Sequence, residues 1–298
     1  MALVLKSEVK KMLKKHNLRP SKRLGQNFLV DKGVVRKIIE AADLQPDDIV
    51  LEIGPGLGVL TRELAKKAKK VIAVEKDKNM VEILAETLKN FKNVEIIHGD
   101  IRKKTPGVFS STPGVGTGYK VVANLPFYLT APAIRKFLES VEVRPQQMVL
   151  VVQKEVAQRI CAKPPDMNLL AVSVQFYASP SQVSPKFGRA SPEIISYISK
   201  KSFWPQPKVD SAIIKITPFK IRRSSELRQL FFKIVRAGFS QPRKQLVNNF
   251  SKMLKLDKEK VKEWLLKNDI QPSQRAETLS LEDWVRLTLS CCQKKFVL

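Results

Sequence analysis

The stretch Ile49–Thr61 reads IVLEIGPGLGVLT and decides the fold of this chain. It begins with the mostly apolar run Ile49–Ile53, which is typical of a short strand buried on both faces. Glycines then occupy every second position, at Gly54, Gly56 and Gly58. Apolar residues recur at helical spacing from Leu60 onward. A strand, a glycine turn and a helix predict a nucleotide-binding corner, because glycine lets the backbone approach a ligand closely.

A carboxylate follows the glycines at the distance expected of a ribose-binding residue. Glu75 ends the next apolar run, Val71–Val74, and lies 21 residues after Gly54. Doubly wound folds place the acidic residue that binds a ribose diol about 20 residues on. Val59 replaces the third glycine of a dinucleotide fingerprint, and Pro55 lacks an N–H for a pyrophosphate. The pattern therefore favours S-adenosylmethionine over NAD; the alternative is a glycine turn that binds nothing.

The charge balance points to a polyanionic partner. The 298 residues include 54 Lys and Arg against 28 Asp and Glu, for a formal net charge of +26. An excess of this size says little about the fold, but it favours nucleic acid as a partner. A membrane is not expected, because no apolar run approaches the ~18 residues of a spanning helix.

The cysteines and histidines do not predict a metal centre. Cys161, Cys291, Cys292, His16 and His98 are too few and too irregularly spaced for a zinc site or a disulfide framework. We therefore expect no metal, and cysteines that stay as thiols in a reducing compartment.

The amino-terminal segment is strongly basic. Residues 1–23 carry eight Lys and Arg and one acidic residue, Glu8. The apolar positions have helical spacing, so the segment is either a solvated helix or an RNA contact. A mitochondrial presequence is the alternative, but Glu8 and the motif directly after the segment favour mature protein. We expect a cytoplasmic location and leave an organellar form open.

Apolar runs alternate with helical patterns through the first half of the chain, which predicts a parallel sheet with crossover helices. The strand candidates are Ile49–Ile53, Val71–Glu75, Val94–His98, Lys120–Ala123 and Met148–Val152. The helix candidates are Val59–Lys67, Asn79–Leu88, Ala131–Glu139, Lys154–Ala162 and Leu169–Tyr177. A late pair of strands, Gln182–Phe187 and Ser211–Ile216, suits an antiparallel edge. We therefore predict a Rossmann-like α/β fold whose sheet is mostly parallel.

Two changes of composition mark a loop and a domain boundary. Residues 105–118 read TPGVFSSTPGVGTG and predict a mobile loop. After Pro218–Ser225 the patterns are helical, and Ser280 with Asp283 forms a capping box before the last helix.

We divide the chain accordingly. Residues 1–219 form the predicted cofactor-binding domain, with a basic helical segment at 1–45, and residues 220–298 form a small all-helical domain that binds RNA. Candidate RNA contacts in the two parts are Lys22, Arg23, Arg243 and Lys244.

Polar or glycine elements follow four consecutive strand candidates. They are Gly54, Glu75, Asp100 and Asn124. Because the carboxyl ends of parallel strands face the ligand crevice, we expect these residues to lie together. Asp100 is a candidate acceptor for the adenine amino group of the cofactor.

The fourth strand ends in NLPF, Asn124–Phe127, which suits the binding of an exocyclic amine. Pro126 holds Leu125 extended, which directs main-chain carbonyls outward. The Asn124 oxygen and one such carbonyl would accept hydrogen bonds from both N–H groups of an adenine N6 amine and expose its lone pair to a sulfonium methyl. Phe127 offers a stacking face worth about 1–3 kcal/mol. The alternative is a strand-ending turn with a buried phenylalanine.

Eight motifs carry a resemblance to a known family. They occur in the order KRLGQNFL, LEIGPGLGVLT, VEKD, GDIR, VVANLPFYLT, VLVVQKEVAQRI, FWPQPKVDSA and RKQLVNNF. With them the chain resembles the small-subunit ribosomal RNA adenine N6-dimethyltransferases, the kasugamycin-resistance family, from about residue 20 to 290. The resemblance implies a class I methyltransferase fold and dimethylation of two adjacent adenines near the 3′ end of small-subunit rRNA, in ribosome biogenesis.

The resemblance also assigns residues. It implies cofactor contacts at Asn27, Leu29, Gly54, Glu75, Asp100 and Asn124, with Gly56 in the same corner. It implies that Phe203 closes over the target base from the side opposite Phe127. Phe127 itself departs from the family, which usually has tyrosine there. We expect a monomer whose partner is rRNA or the immature small subunit.

Two other functions stay open at this point. One is a macrolide-resistance methyltransferase that acts on large-subunit rRNA, although those relatives usually read GSGKG and NIPY rather than GPGLG and NLPF. The other is an RNA-binding ribosome-assembly or transcription factor on a methylase fold. The intact set of strand-end residues argues against the second.

Overall fold

The computed structural model describes residues 6–103, 118–139, 144–178, 192–219 and 224–293. The chain forms two compact units. The first comprises Met1–Ala157 and Pro192–Pro218, and the second comprises Gln158–Ser191 and Phe219–Leu298.

The first unit holds the sheet. Its strands are β1 (Phe28–Leu29), β2 (Ile49–Ile53), β3 (Lys70–Glu75), β4 (Val94–His98), β5 (Lys120–Asn124), β6 (Gln147–Gln153), β7 (Glu193–Ile198), β8 (Phe203–Trp204) and β9 (Ser211–Ile216). Its helices are α1 (Lys6–Lys15), α2 (Lys32–Ala42), α3 (Val59–Ala65), α4 (Lys78–Thr87) and α5 (Thr130–Glu139). Helix α6 (Lys154–Ile160) contains the division between the units.

Seven strands form one sheet in the order β4-β3-β2-β5-β6-β9-β7. Strands β4, β3, β2, β5 and β6 are parallel, and β9 runs antiparallel to both β6 and β7. The parallel strands therefore deliver their carboxyl ends to one edge. The mostly parallel sheet with an antiparallel edge is confirmed. The edge partner of β9 is β7, which the sequence analysis missed; the candidate Gln182–Phe187 lies outside the described residues.

Helices α2 and α3 pack on the sheet through a continuous apolar cluster that includes Ile38, Leu64 and Val122. Ile38, Leu64 and Val122 have essentially no exposed surface. The ends of the predicted helices in this unit differ from the observed ends by no more than two residues, because the apolar period of each helix was clear.

A two-stranded antiparallel sheet joins the amino-terminal loop to the segment after β7. Strand β1 pairs with β8 so that Leu29 lies opposite Phe203. Asp31 reinforces the junction: its Oδ1 accepts hydrogen bonds from the first turn of α2, and its Oδ2 accepts one from the Ser202 hydroxyl at 2.8 Å. Leu29 and Phe203 are far apart in the sequence, and this pairing places them opposite each other on adjacent strands.

The second unit is helical. Its helices are α7 (Leu169–Ala178), α8 (Ser225–Gly238), α9 (Leu246–Leu254), α10 (Lys258–Leu266) and α11 (Leu281–Gln293). The rings of Phe176 and Phe231 stack at a centroid distance of 4.0 Å, which joins α7 to α8. The predicted capping box is present, since the amide of Ser280 donates to Asp283 and the amide of Asp283 donates to the Ser280 hydroxyl.

The boundary near residue 219 separates the sheet from most of this unit, but residues 158–191 also belong to the helical unit. The sequence analysis placed them with the sheet. Aromatic packing between α7 and α8 accounts for the difference, and a pattern of apolar residues does not reveal which neighbour a helix packs against.

Some expectations fall outside the description. The predicted loop 105–118 lies outside the described residues except for Gly118, and nothing is described of the Cys292 side chain. Among the described residues, no helix has the length and apolar character needed to cross a bilayer.

Candidate active site

The glycine corner after β2 has the backbone conformation that its sequence predicts. Gly54, Gly56 and Gly58 all have positive φ, at 68°, 58° and 76°. A Cβ at Gly56 would lie 3.3 Å from the Phe28 ring, so a larger residue would be crowded there as well as strained by the positive φ. The main chain at Gly54 and Gly56 therefore borders the adjoining cavity without a side chain in between.

Glu75 ties this corner to the end of β3. Its Oε2 accepts a hydrogen bond from the Gly56 amide at 3.1 Å, and its Oε1 accepts from the amides of Lys76 and Asp77 at 2.7 and 2.8 Å. The three bonds hold the carboxylate in place and leave one acceptor position on Oε2. Burial raises the pKa of Glu75, against the lowering effect of the amides.

Asp100 follows β4 and is held by cations. Arg102 donates to both of its oxygens, at 2.6–3.2 Å, and the Lys76 ammonium lies 3.2 Å away. These partners keep the pKa of Asp100 well below its usual range. A ligand amine that binds Asp100 must share or replace these cations, which the sequence analysis did not foresee.

The NLPF segment forms the wall after β5. The Asn124 amide nitrogen donates to the Asn27 carbonyl at 3.2 Å, which leaves Oδ1 as the acceptor end of the side chain. Leu125 is buried, and the backbone angles of Pro126 are φ −54° and ψ 136°. Phe127 begins a short 3-10 turn and is half-buried.

One cavity brings these elements together. It is a crevice that is partly open to solvent. All of the predicted cofactor and catalytic residues line it, namely Asn27, Leu29, Gly54, Gly56, Glu75, Asp100, Asn124, Leu125, Pro126, Phe127 and Phe203. The candidate RNA contacts Lys22, Arg23, Arg243 and Lys244 do not line it and are exposed.

Glu52 is the residue that the sequence analysis missed. It lies within β2, lines the cavity and is 2% exposed. Burial raises its pKa to about 8. Its Oε2 has no hydrogen-bond partner among the described residues, and neither does the hydroxyl of Ser211, which also lines the cavity. The signal was visible, since Glu52 is the one charged residue in the apolar run Ile49–Ile53.

The chemistry of this lining fits S-adenosylmethionine. Three acidic side chains, Glu52, Glu75 and Asp100, face the cavity of a protein whose net charge is +26. Unpaired buried polar atoms cost free energy unless a ligand or water satisfies them. Of the three carboxylates, Glu52 has an oxygen without a hydrogen-bond partner among the described residues, and an amine or cationic group of a ligand would satisfy it. Among the described residues, no cluster of His, Cys, Asp and Glu is arranged to hold a metal.

Comparisons with known proteins agree with this geometry. The family model described as ribosomal RNA adenine dimethylase matches residues 16–292. A relative from Dehalococcoides mccartyi, named ribosomal RNA small subunit methyltransferase A, is 43% identical over 96% of this chain and 93% of its own length.

Two crystal structures have similar folds. One is a dimethyladenosine transferase from Plasmodium falciparum, with a TM-score of 0.70 and 27% identity over 90% of this chain and 98% of that one. The other is the 23S rRNA methyltransferase ErmE, with a TM-score of 0.70 and 24% identity over 89% of this chain and 99% of that one. The second likeness concerns the fold alone.

The buried Glu52 predicts a pH-dependent stability. Because its pKa is about 8 in the folded protein and 4.5 is the reference value, the folded state keeps a proton that the unfolded chain releases between these values. The ligand-free stability should therefore fall as the pH rises from about 5 to about 8. Glu52→Gln should remove up to a few kcal/mol of this pH dependence.

Urea unfolding of both proteins across this pH range measures the effect. The comparison uses the difference between the two curves, so that the titration of other groups cancels. Equal pH dependence in the two proteins would show that Glu52 is already ionised in the folded state.

Proposed function

We propose that this protein, which belongs to the ribosomal RNA adenine dimethylase family, uses S-adenosylmethionine to dimethylate N6 of two adjacent adenines near the 3′ end of small-subunit rRNA. The observation that carries the proposal is the single cavity, which combines a ribose-type carboxylate, an amide acceptor and two aromatic rings. This methylation is a step in the maturation of the small ribosomal subunit. The partner of the protein is therefore small-subunit rRNA or the immature subunit.

The cofactor end of the cavity is the glycine corner. When bound, S-adenosylmethionine supplies an electrophilic methyl group on a sulfonium. Glu75 is suited to a ribose hydroxyl through the remaining acceptor position of its Oε2. Glu52 is suited to an ammonium group, which would favour its ionised form. Asn27, Leu29 and the Asp100 carboxylate complete this part of the lining.

Asn124 is the residue to which we assign the chemistry. An amine conjugated to a purine ring is a poor nucleophile, because its lone pair is delocalised into the ring. The Asn124 Oδ1 and a main-chain carbonyl of the NLPF segment would accept hydrogen bonds from the two N–H groups of this amine, which favours a tetrahedral nitrogen. The bond from Asn124 to the Asn27 carbonyl fixes the amide in the orientation that this role requires.

Phe127 and Phe203 are suited to hold the target base. Both rings line the cavity, and the pairing of β1 with β8 fixes the backbone at Phe203. Flipping a base out of its stack costs the least free energy when the nucleotide is already unpaired. A target in an rRNA loop meets this condition. The hydroxyl that the family usually has at position 127 is not needed for stacking, so Phe127 retains the function.

Two alternative functions can be compared with this one: a large-subunit rRNA methyltransferase and an RNA-binding factor without catalysis. A large-subunit methyltransferase shares the fold, so the fold does not exclude it; the small-subunit name of the 43% identical relative favours the present proposal. A factor without catalysis would not need the acidic and amide groups that converge on the cavity. An additional role in subunit assembly is compatible with catalysis. We further propose a monomeric, cytoplasmic enzyme.

Asn124→Ala gives the direct test of the chemistry. Loss of a group that acts mainly in the transition state should lower the single-turnover rate by 10²–10³, about 2.7–4 kcal/mol, judging from single hydrogen-bond donors lost in other enzymes. RNA affinity should change little, because it is spread over many phosphates. The measurement is single-turnover methylation at saturating cofactor and RNA.

Asn93→Ala is a matched control. The Asn93 amide donates to the carbonyls of Ala65 and Ala68, so it has a structural role at the end of α3 and does not line the cavity. Its removal should lower stability and leave the single-turnover rate near the parental value. A parental rate for Asn124→Ala would refute the mechanism even if the family assignment stands.

RNA binding gives a prediction of its own. Each phosphate contact should contribute about 0.7–0.9 to the slope of log K against log salt. Charge reversal at the exposed residues Arg243 and Lys244 should therefore flatten the slope and leave cofactor affinity unchanged. Reversal at Lys258 and Lys260, which are also exposed in the helical unit, is the control for net charge. An unchanged slope for the first pair would mean that it is only a solvated surface.

A further inference from the structure

Tyr128 lines the cavity and is nevertheless half exposed. It follows Phe127 in the 3-10 turn Phe127–Leu129, and 45% of its surface remains accessible. The mechanism above does not use it. Exposed aromatic rings at the mouth of a basic nucleic-acid enzyme are candidates for base stacking, because every base has a π-face.

The ring of Tyr128 has a cationic neighbour. The Arg102 guanidinium lies 5.9 Å from its centroid, within the range of a cation–π contact. A ring that is already contacted on one side loses less freedom when a base stacks on it, which favours binding.

Arg102 is itself fixed. Its side chain forms the paired hydrogen bonds to Asp100, and the Lys136 ammonium donates to the carbonyls of Ile101 and Arg102 at 2.6 and 3.2 Å. The contact over Tyr128 therefore belongs to a connected set of polar interactions that begins at the cofactor end of the cavity.

The surface beside Tyr128 suits a phosphate backbone. A groove there is lined by Arg102, Lys103, Ala131, Pro132, Arg135, Lys136 and Glu139. Four of these side chains are basic and one is acidic, and the acidic one, Glu139, pairs with Arg135 at 2.9 Å, so the groove keeps a net positive charge. RNA whose target base enters the cavity would bring the adjacent phosphates to surfaces of this kind.

We infer that Tyr128 is the stacking platform for the nucleotide next to the target adenine, with Arg102 holding its ring in place. Phe127 and Phe203 line the cavity that receives the target, whereas Tyr128 is exposed at its mouth. The inference rests on the proposed function and adds to it a subsite that contributes to the choice of adjacent bases.

Tyr197 supplies a matched comparison. It is 52% exposed, and the Lys154 ammonium lies 5.2 Å from its ring centroid. It therefore has the same chemistry as Tyr128, but it lies on β7, three strand positions from β5, and does not line the cavity. Three spacings amount to roughly 14 Å, beyond the base next to the target.

The first measurement uses fluorescence and needs no methyl transfer. In a hairpin RNA of the small-subunit loop, 2-aminopurine replaces one of the two adjacent adenines, in each position in turn, with S-adenosylhomocysteine present. At one of the two probe positions, the fluorescence of the parental complex should be about half that of the Tyr128→Ala complex or less. The reason is that stacking on the tyrosine ring quenches 2-aminopurine. Tyr128→Phe should restore the quenching, and Tyr197→Ala should match the parental protein.

The second measurement is a double-mutant cycle that combines the Tyr128→Ala substitution in the protein with removal of one base from the RNA. Tyr128→Ala should lower kcat/KM roughly 5- to 150-fold, the range that stacking of one base provides, and should leave S-adenosylhomocysteine affinity within about twofold. The loss should disappear on RNA that carries an abasic site at the stacked position.

The outcomes separate the two claims. The subsite would be overturned if the parental and Tyr128→Ala complexes had equal fluorescence at both probe positions. It would also be overturned if Tyr128→Ala lowered kcat/KM equally on intact and abasic RNA. Failure of the parental protein to methylate the intact loop would instead count against the proposed function, and the fluorescence comparison would still decide the role of Tyr128.

Discussion

The carboxylate of Glu75 is the interaction on which the site depends. It accepts the amide of Gly56 from one strand end and the amides of Lys76 and Asp77 from the next. The glycine corner and the end of β3 are thereby locked together before any ligand arrives. Burial raises the pKa of this group, and the three amide donors oppose that rise. The remaining walls of the cavity are arranged around this fixed pair of strand ends.

The distribution of charge is the second constraint. The surface of a +26 protein is suited to a polyanion, whereas its cavity is lined by Glu52, Glu75 and Asp100. On the proposed function, these two environments would bind the anionic substrate and the cationic cofactor at different places. Arg102 lies where they meet, because it contacts both Asp100 and Tyr128. Arg102 therefore connects the cofactor end of the cavity directly to Tyr128 at the mouth of the cavity.

Sequence patterns predicted the sheet and most of the site because parallel strands impose both apolar runs and a common edge. They did not predict contacts that arise only in three dimensions. The pairing of Leu29 with Phe203 uses strands of two residues, which have no detectable period. Glu52 was passed over inside an apolar run, and β7 was missed although its sequence, EIISYI, contains three β-branched isoleucines. The partners of Asp100 depend on side-chain orientation, which spacing does not specify.

The central claim is that this chain dimethylates adjacent adenines of small-subunit rRNA, and primer extension tests it most directly. A dimethylated adenine blocks reverse transcription, because its pairing amine has lost both hydrogens. In cells that lack their own small-subunit adenine dimethyltransferase, expression of this chain should restore two adjacent stops near the 3′ end of small-subunit rRNA and none in large-subunit rRNA. Stops restored only in large-subunit rRNA, or none in either, would contradict the account.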